Sequence, residues 1–193
     1  LLADDERAAL QSPHLEAVRR LGRDVLLLTD PLDPFLLTRL RTYQDHPLLN
    51  VAQADLPLPA EAEPAEPPLS DDTLVDLVER FKQQLGERVS AVRISDRLTA
   101  SPARLLDPSD APNPEMQRVY RLLNKDFTAP TKVLEINPRH PIMAALSRQG
   151  REDPLNALVI EQIYENALLL EGLHPNPADM VARIQQLIEA ALV

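Results

Sequence analysis

The sequence has no cysteine and no tryptophan, only four glycines, and three lysines among its twenty basic residues. Without thiols there can be no disulfide, cysteine nucleophile or thiolate metal site, a composition that fits a reducing, cytoplasmic setting. The four glycines form no phosphate-cradling loop: neither G-x-x-x-x-G-K-[ST] nor G-x-G-x-x-G occurs, and there is no G-x-S-x-G elbow. No apolar run approaches the roughly 18–20 residues of a membrane span, and no signal peptide is visible. Aromatic residues make up 3% of the chain, so its core must be built from Leu, Val, Ile and Ala. The scarcity of lysine beside abundant Arg, Ala, Leu and Pro reads as genomic ancestry and not as function.

The formal charge of −10 repels phosphate backbones, which draw proteins in through Lys and Arg. Nucleic acid and membrane are therefore not expected as partners. His14, His46, His140 and His174 are scattered without metal-ligand spacing. His140, between two prolines at a helix start, reads as structural. The carboxylates fall mostly on polar helix faces or in one acidic tract, where they are solvated and not paired for acid–base work. No catalytic, cofactor-binding or metal residues are expected, and no enzyme activity in this segment.

Residues 3–11 read as a helix. Ser12-Pro13, with Glu16 near the capping-box position, predicts a second helix that stops at Gly22. Val25–Leu28 is a short apolar run of the kind that forms a strand buried on both faces. A capped helix follows in "DPLDPFLLTRLRTY", and Leu48–Gln53 suggests another strand. These elements make a small α/β lobe over residues 1–55. Residues 56–69 form an acidic, proline-rich linker with little to bury. Residues 70–193 read as a second, α+β domain. A helix runs from Asp71 to Gly86, and strands lie in "RVSAVRIS", "ARLL" and "KVLEIN". A proline-punctuated loop leads to a short helix near Met116. Helices follow over 138–148, 153–171 and 177–192. The expected fold class is α+β: a three-stranded sheet with helices, ending in a helical hairpin.

That hairpin is apolar on too many sides. At 100° per residue, Leu155, Val159, Ile160, Ile163, Tyr164, Ala167, Leu168 and Leu170 cover more than half of one helix. A surface helix needs a stripe only somewhat over 100° wide. The last helix carries Met180, Ile184, Leu187 and Ala191 in one stripe and Val181, Ile188 and Leu192 in another. The rest of the lobe is one possible cover. A second copy of the chain is the other, two hairpins pairing across a two-fold as a four-helix bundle. Dimerisation is the expectation, with Leu155, Val159, Ile163, Leu168, Ile184, Leu187 and Ile188 at the interface. In "NPEMQRVYRLLNK", Met116, Val119, Tyr120 and Leu123 make an apolar stripe, with Gln117 off it. Such a stripe either packs on its own sheet or repacks against varied partners.

"SPHLEAVRRLGRDVLLLTDPLDPF" resembles the end of the middle domain of the heat shock protein 90 chaperones. "VRISDRLTASPARLL", "EINPRHPIMAAL" and "ALLLEG" resemble, in order, the C-terminal dimerisation domain of the same family. The most specific stretches are "SPHLE" and Ile136–Pro141, an I-N-P-x-H-P motif. Two departures stand out: Pro34-Phe35 replaces a frequent acidic–aromatic pair, and the linker is unusually rich in proline. The start at Leu1 without methionine is what a piece of a longer protein would show. The end at Val193, without an acidic Met-Glu-Glu-Val-Asp tail, implies the bacterial type and no tetratricopeptide cochaperone docking.

The resemblance implies a parent that is a dimeric, ATP-dependent chaperone of the stress response, acting on unfolded clients in the cytoplasm. Its ATP and magnesium would bind upstream of the matched segment, leaving no cofactor here. This segment would supply constitutive homodimerisation and part of the client surface, at Met116, Val119 and Tyr120, with Leu123 on the same stripe. The rivals are a monomeric α+β adaptor or protein-binding module with internally packed terminal helices, and a small α/β enzyme with an unrecognised site.

Overall fold

The computed structural model describes residues 1–53, 69–108, 116–123 and 131–192. Most of the linker expected at 56–69 lies outside the described residues, as does the loop at 109–115. The described chain is α+β.

The first lobe begins with α1 (Glu6–Gln11), whose N-cap Asp5 accepts the Ala8 N–H at 2.7 Å. It continues through α2 (Leu15–Arg20) and α3 (Asp33–Arg39). A tight hairpin then pairs β1 (Thr42–Tyr43) with β2 (His46–Pro47). Gln44 and Asp45 at its turn both have positive φ, 45° and 63°, as a two-residue hairpin loop of this hand requires. The lobe's buried apolar residues are few: Ala9, Leu15, Ala17, Val18 and Val51, with Leu1 and Val25 packed against the two valines.

Three local expectations are corrected here. The Ser12–Glu16 capping box does not form. Ser12 closes α1 instead, α2 starts after His14, and the Glu16 side chain leaves its own helix. The strand over Val25–Leu28 reduces to a single parallel bridge between Leu28 and Leu2, and Leu26 is 65% exposed. A strand buried on both faces needs neighbours along its length and a layer over each face, and among the described residues it is Leu1–Ala3 that bonds alongside it. Leu48–Gln53 is not a strand either. Asn50 accepts the Ala52 N–H on its side chain and the Gln53 N–H on its carbonyl, winding the chain into a turn.

The second part opens with α4 (Asp71–Leu85), capped by Ser70 and ended by Gly86 at φ 55°. A three-stranded sheet follows, of β3 (Val89–Ile94), β4 (Ala103–Leu106) and β5 (Lys132–Ile136). Its order is β3-β5-β4, with β5 parallel to β3 and antiparallel to β4. Four α-helices follow in the described chain: α5 (Gln117–Leu123), which lies between β4 and β5 in sequence, then α6 (Pro141–Arg148) and the pair α7 (Pro154–Leu170) and α8 (Met180–Ala191).

The main core lies on one face of the sheet. Val92, Ala103, Leu105, Leu134 and Ile136 face Leu77, Phe81 and Leu85 of α4, Met143 and Leu146 of α6, and Ile160, Ile163, Tyr164 and Ala167 of α7. Every residue of β4 and β5 is buried, so the other face is covered too. There the cross-strand partners Arg104 and Glu135 form an ion pair. Nε and Nη2 of Arg104 donate to Glu135 Oε2 at 2.9 and 2.7 Å, and Ser95 Oγ donates at 3.1 Å. Removing one partner of such a pair strands a buried charge, which makes it a strong determinant of register. Phe81 is fully buried at the centre of the main core. Phe81→Ala is expected to cost about 3–5 kcal/mol through lost transfer energy and the cavity left behind, read as a lowered urea midpoint at unchanged slope.

Candidate dimer face, client-contact helix and lobe seam

α7 starts at N-cap Asp153, which accepts the Leu155 N–H at 2.9 Å, and Pro154 occupies its first turn. Its deep side belongs to the chain's own core through Ile160, Ile163, Tyr164 and Ala167. After Gly172, at φ 64°, the chain bends and α8 returns along α7. A polar clasp fixes that return. Arg183 on α8 pairs with Glu165 and donates to Gln162 Oε1 at 3.2 Å, while His174 Nε2 lies 3.4 Å from Glu165 Oε2. His174 Nδ1 accepts the Asn176 N–H, holding the ring across the bend.

The seven expected interface residues separate by depth. Ile163 is buried within its own chain, and Val159 and Leu168 pack on the edge of the same core. Leu155 and Leu187 are partly buried, whereas Ile184 and Ile188 are exposed. Within α8 only Met180 is buried. Val181, Ile188 and Leu192 are each more than half exposed. At 100° per residue, Val181, Ile184, Ile188 and Leu192 fall within about 80° of one another, one continuous apolar stripe. Leu169 and Leu170 add exposed apolar area at the end of α7. Ile184, expected in one stripe with Met180, Leu187 and Ala191, instead joins Val181, Ile188 and Leu192 on the exposed side, because the bend and the Arg183 clasp set which side of α8 meets α7.

α5 does not present its stripe whole. Val119 is 6% exposed, so the expected contact there is turned inward. Met116 is partly buried, Tyr120 is exposed, and Leu123 is 79% exposed. Gln117, expected off the stripe, is buried, and its Nε2 donates to Asp107 Oδ1 at 3.2 Å. The same oxygen accepts Lys132 Nζ at 2.5 Å, with both Asp107 and Lys132 buried. A polar side chain thus anchors this helix. Hydrophobic periodicity does not detect such an anchor.

A seam joins the two lobes. The Glu16 carboxylate crosses to the loop before β4, where Oε2 accepts the N–H groups of Thr99 and Ala100 at 2.6 and 3.0 Å. Oε1 accepts the Ser101 N–H at 3.0 Å, and Thr99 Oγ1 donates to Oε2 at 3.1 Å. The fully buried His14 ring contacts Glu171 at the end of α7, Nε2 to Oε1 at 2.7 Å. At the far end of β4, the Asp107 N–H donates to Ala52 O at 3.1 Å, and Gln53 bridges the same residue. Burial opposes ionisation of Glu16, but the hydrogen bonds from Ser101, Thr99 and Ala100 together outweigh it and hold the carboxyl below its ordinary range. The charge of this carboxylate also reaches His140. Burial pushes its imidazole down, and the negative charge of Glu16 offsets only part of that. Its Nδ1 accepts the Ile142 N–H at 3.2 Å and caps α6. Among the described residues no group of three or more His, Asp or Glu converges as a metal site requires, and no helix is long and apolar enough to cross a membrane.

The described chain is thus an α+β unit whose β4 and β5 are buried and whose closing helix leaves an apolar stripe exposed. The family model described as Hsp90 protein matches residues 1–193, and the chain belongs to that family. It is similar to "Chaperone protein HtpG" of Chlorobium phaeovibrioides, 37% identical over 185 residues, covering 94% of this chain and 30% of the relative. The protein of the same name from Nitratidesulfovibrio vulgaris is 36% identical over 200 residues, covering 98% and 31%. That from Mycobacterium avium is 38% identical over 168 residues, covering 84% and 26%. The chain therefore spans under a third of the length of the relatives it matches.

The seam generates a pH prediction. A carboxyl whose folded pKa lies below its unfolded value stabilises the fold fully above the unfolded value, and loses that contribution as pH falls through the folded one. For Glu16 the loss begins below its ordinary 4.5. His140, also lowered, favours the neutral ring, so its contribution begins to fall below 6.5 as the unfolded chain takes up the proton first. In urea titrations at stepped pH, Glu16→Gln should flatten the stability profile below 4.5 and leave the drop that starts near 6.5 in place. An unchanged acid limb in Glu16→Gln would show that this carboxylate does not hold the seam.

Proposed function

We propose that this chain is the end of the middle domain and the C-terminal dimerisation domain of a bacterial heat shock protein 90 chaperone. Its work is mechanical. The α7–α8 hairpin holds two copies together constitutively, and α5 supplies part of the surface that unfolded clients touch. In this reading ATP and magnesium are bound by other segments of the longer, cytoplasmic protein, whose stress-related folding activity depends on two protomers closing over a client.

The observation that carries the reading is the stripe Val181, Ile184, Ile188 and Leu192, exposed on a helix whose opposite side is clasped to α7. Burying one such Leu or Ile contributes about 1.5–3 kcal/mol relative to exposure. A two-fold axis doubles every contact, which gives the interface a means to exceed the cost of association. Leu169 and Leu170 are exposed at the end of α7, and Leu155 on α7 and Leu187 on α8 are partly buried. A four-helix bundle built from two hairpins would cover all of them. For client contact, the support is the exposure of Tyr120 and Leu123 on a helix with a buried anchor.

Sedimentation equilibrium of the chain over a wide concentration range is expected to return the dimer mass. Ile184→Asp with Ile188→Asp should return soluble monomers with unchanged helix content. A wild-type mass that stays monomeric at every concentration would favour the adaptor with a self-covered end. Separately, Tyr120→Ser with Leu123→Ser should weaken binding of reduced, carboxymethylated α-lactalbumin roughly tenfold, equivalent to about 1.4 kcal/mol, without changing mass. Unaltered affinity would remove α5 from the client surface.

A further inference from the structure

Both ends of β4 are held by the first lobe. Before it, the N–H groups of Thr99, Ala100 and Ser101 converge on Glu16. After it, the Asp107 N–H bonds to Ala52 O, and Gln53 bridges alongside. Asp107 is also where α5 is anchored. Its Oδ1 accepts from Gln117 Nε2 on α5 and from Lys132 Nζ at the start of β5. One residue thus touches the first lobe with its backbone and the client-contact helix with its side chain. All three anchoring side chains are buried.

We propose that Asp107 is a positioning residue that couples the first lobe to α5, so that the docking state of the lobe sets how firmly α5 is held. The physical basis is stiffness at each link. β4 is hydrogen-bonded to β5 along its length and buried on both faces, so it does not bend between its two tethers. Displacing the lobe pulls on Ser101 and Asp107 together. Asp107 cannot shift without straining two bonds to one buried oxygen. Lys132 belongs to the central strand and does not follow, so the bond to Gln117, the longer of the two, is the one that yields. α5 then loosens, carrying Tyr120 and Leu123 with it. The significance for clients rests on the reading of α5 given above; the coupling itself does not.

The test is amide hydrogen exchange of the whole chain, with no client present. Glu16→Gln weakens the first tether, far in sequence from α5, by replacing one of its two accepting oxygens with an NH2 donor. Exchange over 117–123 is expected to speed up by about fivefold, the lower end of ordinary coupling between sites. In a Gln117→Leu background, which leaves the Lys132–Asp107 pair intact, Glu16→Gln should produce no further change over 117–123. That non-additivity is the signature of a shared link. Acceleration confined to 99–101 in Glu16→Gln would overturn the proposal, as would full additivity with Gln117→Leu. If Glu16→Gln unfolds the first lobe, Glu16→Asp, which retracts the carboxylate while keeping its charge, gives the same comparison. Failure of the client reading would look different: Tyr120→Ser with Leu123→Ser would leave client affinity unchanged while the exchange coupling persisted.

Discussion

The structure depends on β5 being the middle strand of three. It pairs with β3 on one side and β4 on the other, and all five of its residues are buried. One face must therefore meet the apolar helices, and the other must accommodate Glu135. Arg104 stands directly opposite on β4 and satisfies that carboxylate, so a one-residue slip of β4 against β5 would turn Arg104 toward the main core and leave Glu135 buried without its partner. Lys132, at the entry to the same strand, is satisfied by Asp107. Two buried ion pairs thereby fix the register of a sheet too short for its apolar pattern to fix it alone.

From this constraint follows the layout of what is open. α4, α6 and α7 are committed to covering the sheet, and α7 spends its deep side there. α8 has no sheet left to cover. It lies against the outer side of α7, held by Arg183, Glu165 and Gln162 at one flank, and leaves an apolar stripe uncovered. A polar clasp suits such an edge. It sets the angle of α8 without using the apolar area that a partner would bury.

The first lobe depends on the second more than its sequence suggests. Its buried apolar residues are few and small apart from Leu15, namely Ala9, Ala17, Val18 and Val51, while His14, Glu16 and Ala52 all bond across the seam. Charged and polar contacts of this kind are directional and can be released without exposing a large apolar area. A joint of that type can hold one geometry and still be moved.

Local pattern determined the helices of the second part, their caps and its three strands. Ser70 and Gly86 bracket α4, Asp153 and Pro154 start α7, and the β-branched runs form β3 and β5. It also identified two apolar stripes on α8, because periodicity is a property of neighbouring residues. Long-range contact decided the rest. Glu16 has the spacing of a capping-box residue, yet it serves a loop 83 residues away, since three converging N–H groups outbid one helix end. Gln117 looks solvated by its position beside the stripe, but a buried Asp107 draws it in. Val25–Leu28 has the composition of a buried strand and lacks the neighbours that would make it one. Propensity acts within a few residues, whereas the partner of a buried polar group is chosen by the fold, and only tertiary structure brings the two together.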